Sequence, residues 1–316
     1  MNNLGSLIRL AVELRRLENG AAALVSAPLN SFFADSLALL ASDDAFKRLV
    51  AANRFLAQFN QAVSQAISQA RTTATKQAVE IAAYQGERTA RILSTAAGNV
   101  FTADGVSRDR LREILARDAI EGRTADQWWR RLESQVRLKT QRVVAESLSK
   151  GEPAEQIRQR LDELVVRPAL RQAEALTRTV ANNLANAASW ETAEASPLTR
   201  FYRIHVTLDR RTSKVCLAIA AQNKIYQYAP DSPRPPFHFA CRSIIEPIPI
   251  GRENEKPVEA GDWLKQQSKE VQDEILGPRR AEMFRKGRLQ LEDLIRGDNS
   301  IAALPELRGV AASFQL

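Results

Sequence analysis

Cys216, His238 and Cys241 are the residues of this chain whose types and spacing could do chemistry. Thiolate and imidazole are the soft ligands and nucleophiles of proteins, and the 316 residues contain only two cysteines and two histidines. His238 and Cys241 stand three apart in a loop, and Cys216 comes from the end of a preceding hairpin region. Such a trio suits zinc, but a structural zinc site asks for four ligands, so Asp209 or His205 would have to supply the last. The reading without metal packs Cys216 and Cys241 as small buried hydrophobes and ties His238 to loop backbone, where prolines leave carbonyls short of amide donors. On that balance no cofactor is expected, with structural zinc on Cys216, His238 and Cys241 as the alternative.

Other chemistries find little support. The sequence has no Gly-x-x-x-x-Gly-Lys-Ser/Thr phosphate loop, no Gly-x-Gly-x-x-Gly turn, no His-Glu-x-x-His helix and no Gly-x-Ser-x-Gly elbow. Two histidines are too few for a hydrolase built on several imidazoles, and two cysteines are too few for a disulfide framework, which points to a reducing compartment. The net charge of +8 and pI near 9.8 raise the question of nucleic acid. The basic residues are interleaved with acids, as in Arg108-Asp109-Arg110, which is the pattern of a salt-bridged, solvated helix face. No window reaches the roughly eighteen uninterrupted apolar residues of a membrane span. Arg9, Glu13, Arg15 and Arg16 interrupt the opening too early for a signal peptide, so the chain is expected to stay in the cytoplasm where it is made.

The elements that must position the trio are mostly helical. Residues 42–98 are rich in Ala, Gln, Ser and Thr and contain no proline, which predicts one very long helix or a pair. Ala45, Leu49, Ala52, Leu56, Phe59, Val63, Ala66 and Ala70 recur at steps of four and three, a narrow seam. Fifty helical residues would reach about 75 Å, so the seam is expected to pack on another chain, the alternative being a hairpin on itself. Leu49, Leu56, Phe59, Val63, Trp128 and Trp129 are the expected partner contacts.

Ser107 and Thr124 are expected to cap helices running to Ala119 and about Leu148, with Gly122 and Gly151 as breaks. Pro153 suits the first turn of a short helix that ends before Pro168, and a further helix follows over residues 169–195. Residues 201–208 then alternate aromatic and β-branched side chains and predict a strand, joined by strands at 224–228 and 243–247 around the proline-rich loop 230–236. Short helices return over residues 262–294, broken at Gly277-Pro278 and Gly287. The predicted class is α+β and mostly α-helical: long N-terminal helices, a helical region, and a small C-terminal α+β module with a short antiparallel sheet. The expected divisions are a helical arm (1–105), a central helical region (106–199), the α+β module with its helical tail (200–296) and a C-terminal extension (297–316).

Around the trio the sequence reads Thr207-Leu208-Asp209-Arg210-Arg211-Thr212-Ser213-Lys214-Val215-Cys216 and then Pro235-Pro236-Phe237-His238-Phe239-Ala240-Cys241-Arg242-Ser243. This resembles the phage Mu F-like (SPP1 head-morphogenesis) family of minor head proteins, whose pattern is Thr-x-Asp-x-Arg-Thr-Ser-x-x-Cys followed by Pro-Pro-x-His-x-x-Cys-Arg-Cys. Leu176-Thr177-Arg178-Thr179 resembles the helix ahead of the family's module, and residues 263–294 its helical tail, so the resemblance covers about residues 151–295. Ser243 departs from it by replacing the last cysteine, which weakens an inherited metal site. Without metal the motif reads as a structural staple: Asp209 bonds turn amides, Thr212 and Ser213 cap, and Arg242 bridges a strand to a carboxylate such as Asp209.

The resemblance implies a structural minor head protein, not an enzyme, located in the virion inside the capsid near the portal and assembled in the host cytoplasm. It would bind the portal protein and other head proteins, major capsid or scaffold, and act in head morphogenesis, DNA packaging or control of DNA ejection, with genomic DNA as a further partner and no membrane. Two rival readings are an internal DNA-binding protein ejected with the genome and, third, a metal-dependent nuclease around Cys216 and His238.

Overall fold

The computed structural model describes residues 3–38, 40, 49–100, 102–209, 211–252 and 260–294. In chain order these form α1 (Asn3–Ala38), α2 (Leu49–Ala96), α3 (Arg108–Arg117), α4 (Ala125–Ser149), α5 (Ala154–Leu161), α6 (Arg167–Glu194), β1 (Thr199–His205), α7 (Lys214–Gln222), β2 (Tyr226–Gln227), β3 (Ile244–Pro249), α8 (Ala260–Lys265), α9 (Lys269–Leu276) and α10 (Pro278–Arg285). A 3-10 turn closes the series at Leu291–Leu294. The expected class therefore holds: mostly helix, with one small antiparallel sheet towards the C-terminus. The described residues divide into two compact units, one of residues 14–84 and 107–187, the other of residues 3–13, 85–106, 188–252 and 260–294. The boundaries fall inside α1, α2 and α6, helices of 36, 48 and 28 residues.

In the first unit α2 is continuous, as a proline-free, alanine-rich stretch allows. Its seam does not face outward. Phe59 and Val63 are buried, Phe59 meets Phe33 of α1 with ring centroids 6.3 Å apart, and Ser64 donates to Glu133 of α4 at 2.6 Å. Arg71 of α2 pairs with Asp126 of α4. Periodicity finds an apolar stripe but cannot say what covers it, and here α1 and α4 of the same chain do. Trp129 is also interior, while Leu56 and Trp128 are half-buried. Trp128 donates from Nε1 to the Ile120 carbonyl at 2.8 Å and lies under the Arg123 guanidinium, closing the turn ahead of α4. Ala45 and the side chain of Leu49 lie outside the described residues.

The caps at Ser107 and Thr124 form as expected; Thr124 and Gln127 exchange both bonds of a capping box. Pro168 does not stop the chain's helix. Residues Asp162–Val166 form a π-helical turn, in which the Arg167 amide reaches Asp162, and α6 begins directly after it. The wider turn accommodates a residue that has no amide hydrogen to give and whose ring crowds the preceding turn. Arginines on the helix surfaces meet acids three or four residues away: Arg130 with Asp126, Arg137 with Glu133, Arg142 with Glu146, and Arg158 with Glu155.

In the second unit, buried Gln85 (through Nε2) and Thr89 of α2 both bond Ser189 of α6 at 3.0 Å. The sheet has the order β2-β1-β3, antiparallel throughout, with Tyr202 opposite both Tyr226 and Pro247. Pro247 and Pro249 are tolerated because β3 is an edge strand. Tyr202, fully buried, stacks on Tyr226 and meets Trp190 of α6 edge-on, at centroid distances of 5.3 and 5.2 Å. A second cluster joins Leu217 and Ile219 of α7 to Leu264, Val271, Leu276, Leu291 and Leu294 of the tail. α7 was not expected; Ser213 caps it by accepting from the Cys216 amide, and Asn223 ends it in the left-handed conformation at φ 48°.

Candidate functional site

Pairing of His205 with Ile244 puts the end of β1 beside the start of β3, so the loop leaving β1 and the loop entering β3 run next to one another. The described residues of the two sequence motifs lie on these loops or on the first turn of α7. The first loop is folded by its own polar side chains. The Asp209 carboxylate accepts from the Arg211 amide at 2.8 Å, an Asx-type turn, and the Asp209 amide donates to Thr212 Oγ1 at 2.8 Å. Thr212 Oγ1 in turn donates to the Thr207 carbonyl at 2.8 Å. Thr207 Oγ1 crosses to the second loop and donates to the Arg242 carbonyl at 3.3 Å.

Arg242 returns the contact. Its two terminal nitrogens bond both oxygens of Asp209, and this two-pronged pair holds the Asp209 carboxyl below the usual carboxylate range despite partial burial. The second loop enters through a cis peptide at Pro235-Pro236 and makes a tight turn in which the Cys241 amide donates to the His238 carbonyl at 3.1 Å, with Ala240 at φ 56°. Tyr202 anchors the loop from the sheet by donating its hydroxyl to the Pro233 carbonyl at 2.7 Å, and Arg234 lies 5.0 Å over the Trp190 ring. Neither contact was anticipated from sequence, because both join residues about 30 or more apart with no shared motif.

The trio does come together. Cys216 Sγ lies 3.7 Å from Cys241 Sγ and 3.2 Å from His238 Nε2, and the three ligand atoms all fall within 4.8 Å of one another. Both sulfurs are buried among Val206, Ile204, Leu208, Ala220 and Phe237. Ser213 Oγ is 2.8 Å from His238 Nε2, and Ser243 Oγ donates to Cys216 Sγ at 3.4 Å. The two thiols titrate as a pair: hydrogen bonding with Cys241 and burial hold the Cys216 proton on, while the bond from Cys216, with His238 in support, lowers Cys241. Neither Asp209 nor His205 completes this group. Asp209 is engaged by Arg242, and His205 sits in β1, where burial lowers its pKa.

A crevice bordered by Thr207, Thr212, Ser213, Cys216, His238 and Ser243 has room for about one water molecule. The two loops are thus tied by an ion pair, caps and a thiol–imidazole cluster, with little space between them. Residues 138–246, from within α4 to β3, match the family model described as Phage Mu protein F like protein, which bears out the resemblance in the motifs. The family is one of structural, phage head-related proteins. No curated protein and no solved structure matches the chain significantly. No helix of the described residues is long and apolar enough to cross a membrane.

Proposed function

We propose that this chain is a structural minor head protein that docks on the portal inside the capsid, is assembled there in the host cytoplasm, and acts in head morphogenesis, DNA packaging or control of DNA ejection. The observation that carries this reading is the Mu F-like match over residues 138–246. The site's chemistry supports it: the motif residues spend their polar groups on one another, and the crevice is too small for a nucleotide, which disfavours the nuclease reading. Arg130, Arg137, Arg142 and Arg158 on the helix surfaces are paired with acids of their own helices, which leaves these four less available to DNA phosphates.

The test is co-sedimentation of the full chain with assembled portal rings and with heads that lack portal. Binding to rings but not to portal-free heads is the expected result. Binding to neither, by a folded monomer that instead binds duplex DNA with steep salt dependence, would overturn the reading in favour of an internal DNA-binding protein. Deleting residues 1–105 is unsuited to mapping the docking surface, because α1 and α2 contribute Phe33, Phe59 and Val63 to the core of the first unit.

A further inference from the structure

We propose that Cys216, Cys241 and His238 bind one zinc ion, with the fourth position taken by a water held between Ser213 and Ser243. The distances argue for it first. Zinc bonds of about 2.3 Å to sulfur and about 2.0 to 2.1 Å to nitrogen, arranged tetrahedrally, imply about 3.8 Å between two ligand sulfurs and about 3.5 Å between sulfur and nitrogen. The chain holds 3.7 Å between the sulfurs and 3.2 Å from Cys216 Sγ to His238 Nε2.

The imidazole is also set up for the role. His238 Nδ1 lies 2.7 Å from the Phe239 carbonyl, which can only accept, so Nδ1 carries the proton and Nε2 presents its lone pair to the sulfurs. A backbone carbonyl on the far ring nitrogen is the usual support of a metal-bound histidine. In the absence of metal that single lone pair is over-subscribed, because Ser213 Oγ at 2.8 Å and Cys216 Sγ at 3.2 Å both lie within hydrogen-bonding reach of it. A cation at the centre of the trio resolves the competition. Each thiol gives its proton to solvent, two thiolates and the imidazole bind, and the serine hydroxyls turn to the water.

Neither serine is a strong ligand, but both border the crevice that has room for about one water. That space admits a fourth ligand and no substrate, so the ion's role is to tie the first turn of α7 to the loop entering β3. Ser243, buried with its hydroxyl 3.4 Å from Cys216 Sγ, stands where a third thiolate would close the site.

The experiment uses the full chain purified under reducing conditions. Metal content is measured after dialysis, and the metal-free chain is titrated with cobalt(II), whose absorption reports thiolate coordination without any variant. One equivalent of zinc and a thiolate-to-cobalt charge-transfer band are expected. Cys216→Ser, Cys241→Ser and His238→Ala should each lower affinity by more than the roughly 10- to 100-fold that loss of a supporting hydrogen bond costs. Ser243→Cys should raise affinity and intensify the charge-transfer band. No metal in the dialysed chain with no cobalt band, a Cys216–Cys241 disulfide under these conditions, or zinc retained undiminished by the three ligand variants would each overturn the proposal.

Discussion

Replacing Asp209 by Asn tests whether the motif is a staple. Asn keeps an oxygen for the Arg211 amide, so the substitution removes mainly the charge that Arg242 grips with both terminal nitrogens. Breaking a fully buried ion pair costs about 3 to 5 kcal/mol, and an exposed one is worth about 0 to 1 kcal/mol. The Arg242 side chain is 15% exposed but Asp209 is 39% exposed, so solvent screens the carboxylate and the expected loss is about 1 to 2 kcal/mol. Urea unfolding followed by near-UV circular dichroism reads it, and a double-mutant cycle with Arg242→Gln isolates the pair, with a coupling of about 1 kcal/mol. The pH dependence supplies an independent check. Arg242 lowers the folded-state pKa of Asp209 below an unfolded value near about 3.9, so the stabilisation is complete above that value and is lost as pH falls through the folded pKa. The gap between wild type and Asp209→Asn should therefore persist from neutral pH to about pH 5 and close in stronger acid. A coupling below about 0.3 kcal/mol, or a gap that ignores acid, would refute the reasoning.

Three further outcomes are expected. Thr124→Ala removes one half of the capping box on α4 and should cost about 1 kcal/mol in chemical denaturation, with Gln127→Ala partly redundant to it; additive losses would contradict a reciprocal box. Trp129→Ala empties a site that is 1% exposed and should lower stability by about 3 to 5 kcal/mol, whereas a Trp129 that serves a partner would give a stable chain with impaired assembly. Tyr202→Phe keeps the aromatic stack and loses the hydroxyl that bonds the Pro233 carbonyl, about 1 kcal/mol by thermal unfolding, and an unchanged midpoint would show that the loop is not anchored there.

What could be read from the sequence was what short-range chemistry decides. Ser107 and Thr124 announce helix starts because a cap is satisfied within three residues, and Gly277-Pro278 announces a stop for the same reason. The Asp209 to Arg242 bridge was legible because a carboxylate and a guanidinium flank the two loops of one motif. α7 differs from expectation although Ser213 precedes an apolar run, because the run is short and Cys216 within it reads as a ligand at the end of a hairpin. The break at Pro168 failed because a π-helical turn can absorb a proline, and nothing local signals that turn. The outward seam on α2 failed because its cover, Phe33 on α1 and the polar side chains of α4, is remote in sequence. The placement of Ser243 against Cys216 is likewise not signalled locally, since the two residues are 27 apart in sequence.

The need for polar ties between the loops follows from the size of the sheet. β2 is two residues long and β1 pairs with β3 over a single short strand, a sheet that could not persist on its own ladder. One side is secured by the aromatic stack of Trp190, Tyr202 and Tyr226, and α7 is secured by the tail through Leu217 and Ile219. Between these two clusters Val206, Ile204, Leu208 and Phe237 pack around the two thiols, and it is there that Asp209, Arg242, Ser213 and His238 are concentrated. Ser213 takes part in both local and distant order, since the hydroxyl that caps α7 also contacts His238 from 25 residues away. Formation of the helix and closure of the loop are thereby coupled, and removing that one oxygen should loosen both together even though it is a single hydroxyl on a short helix.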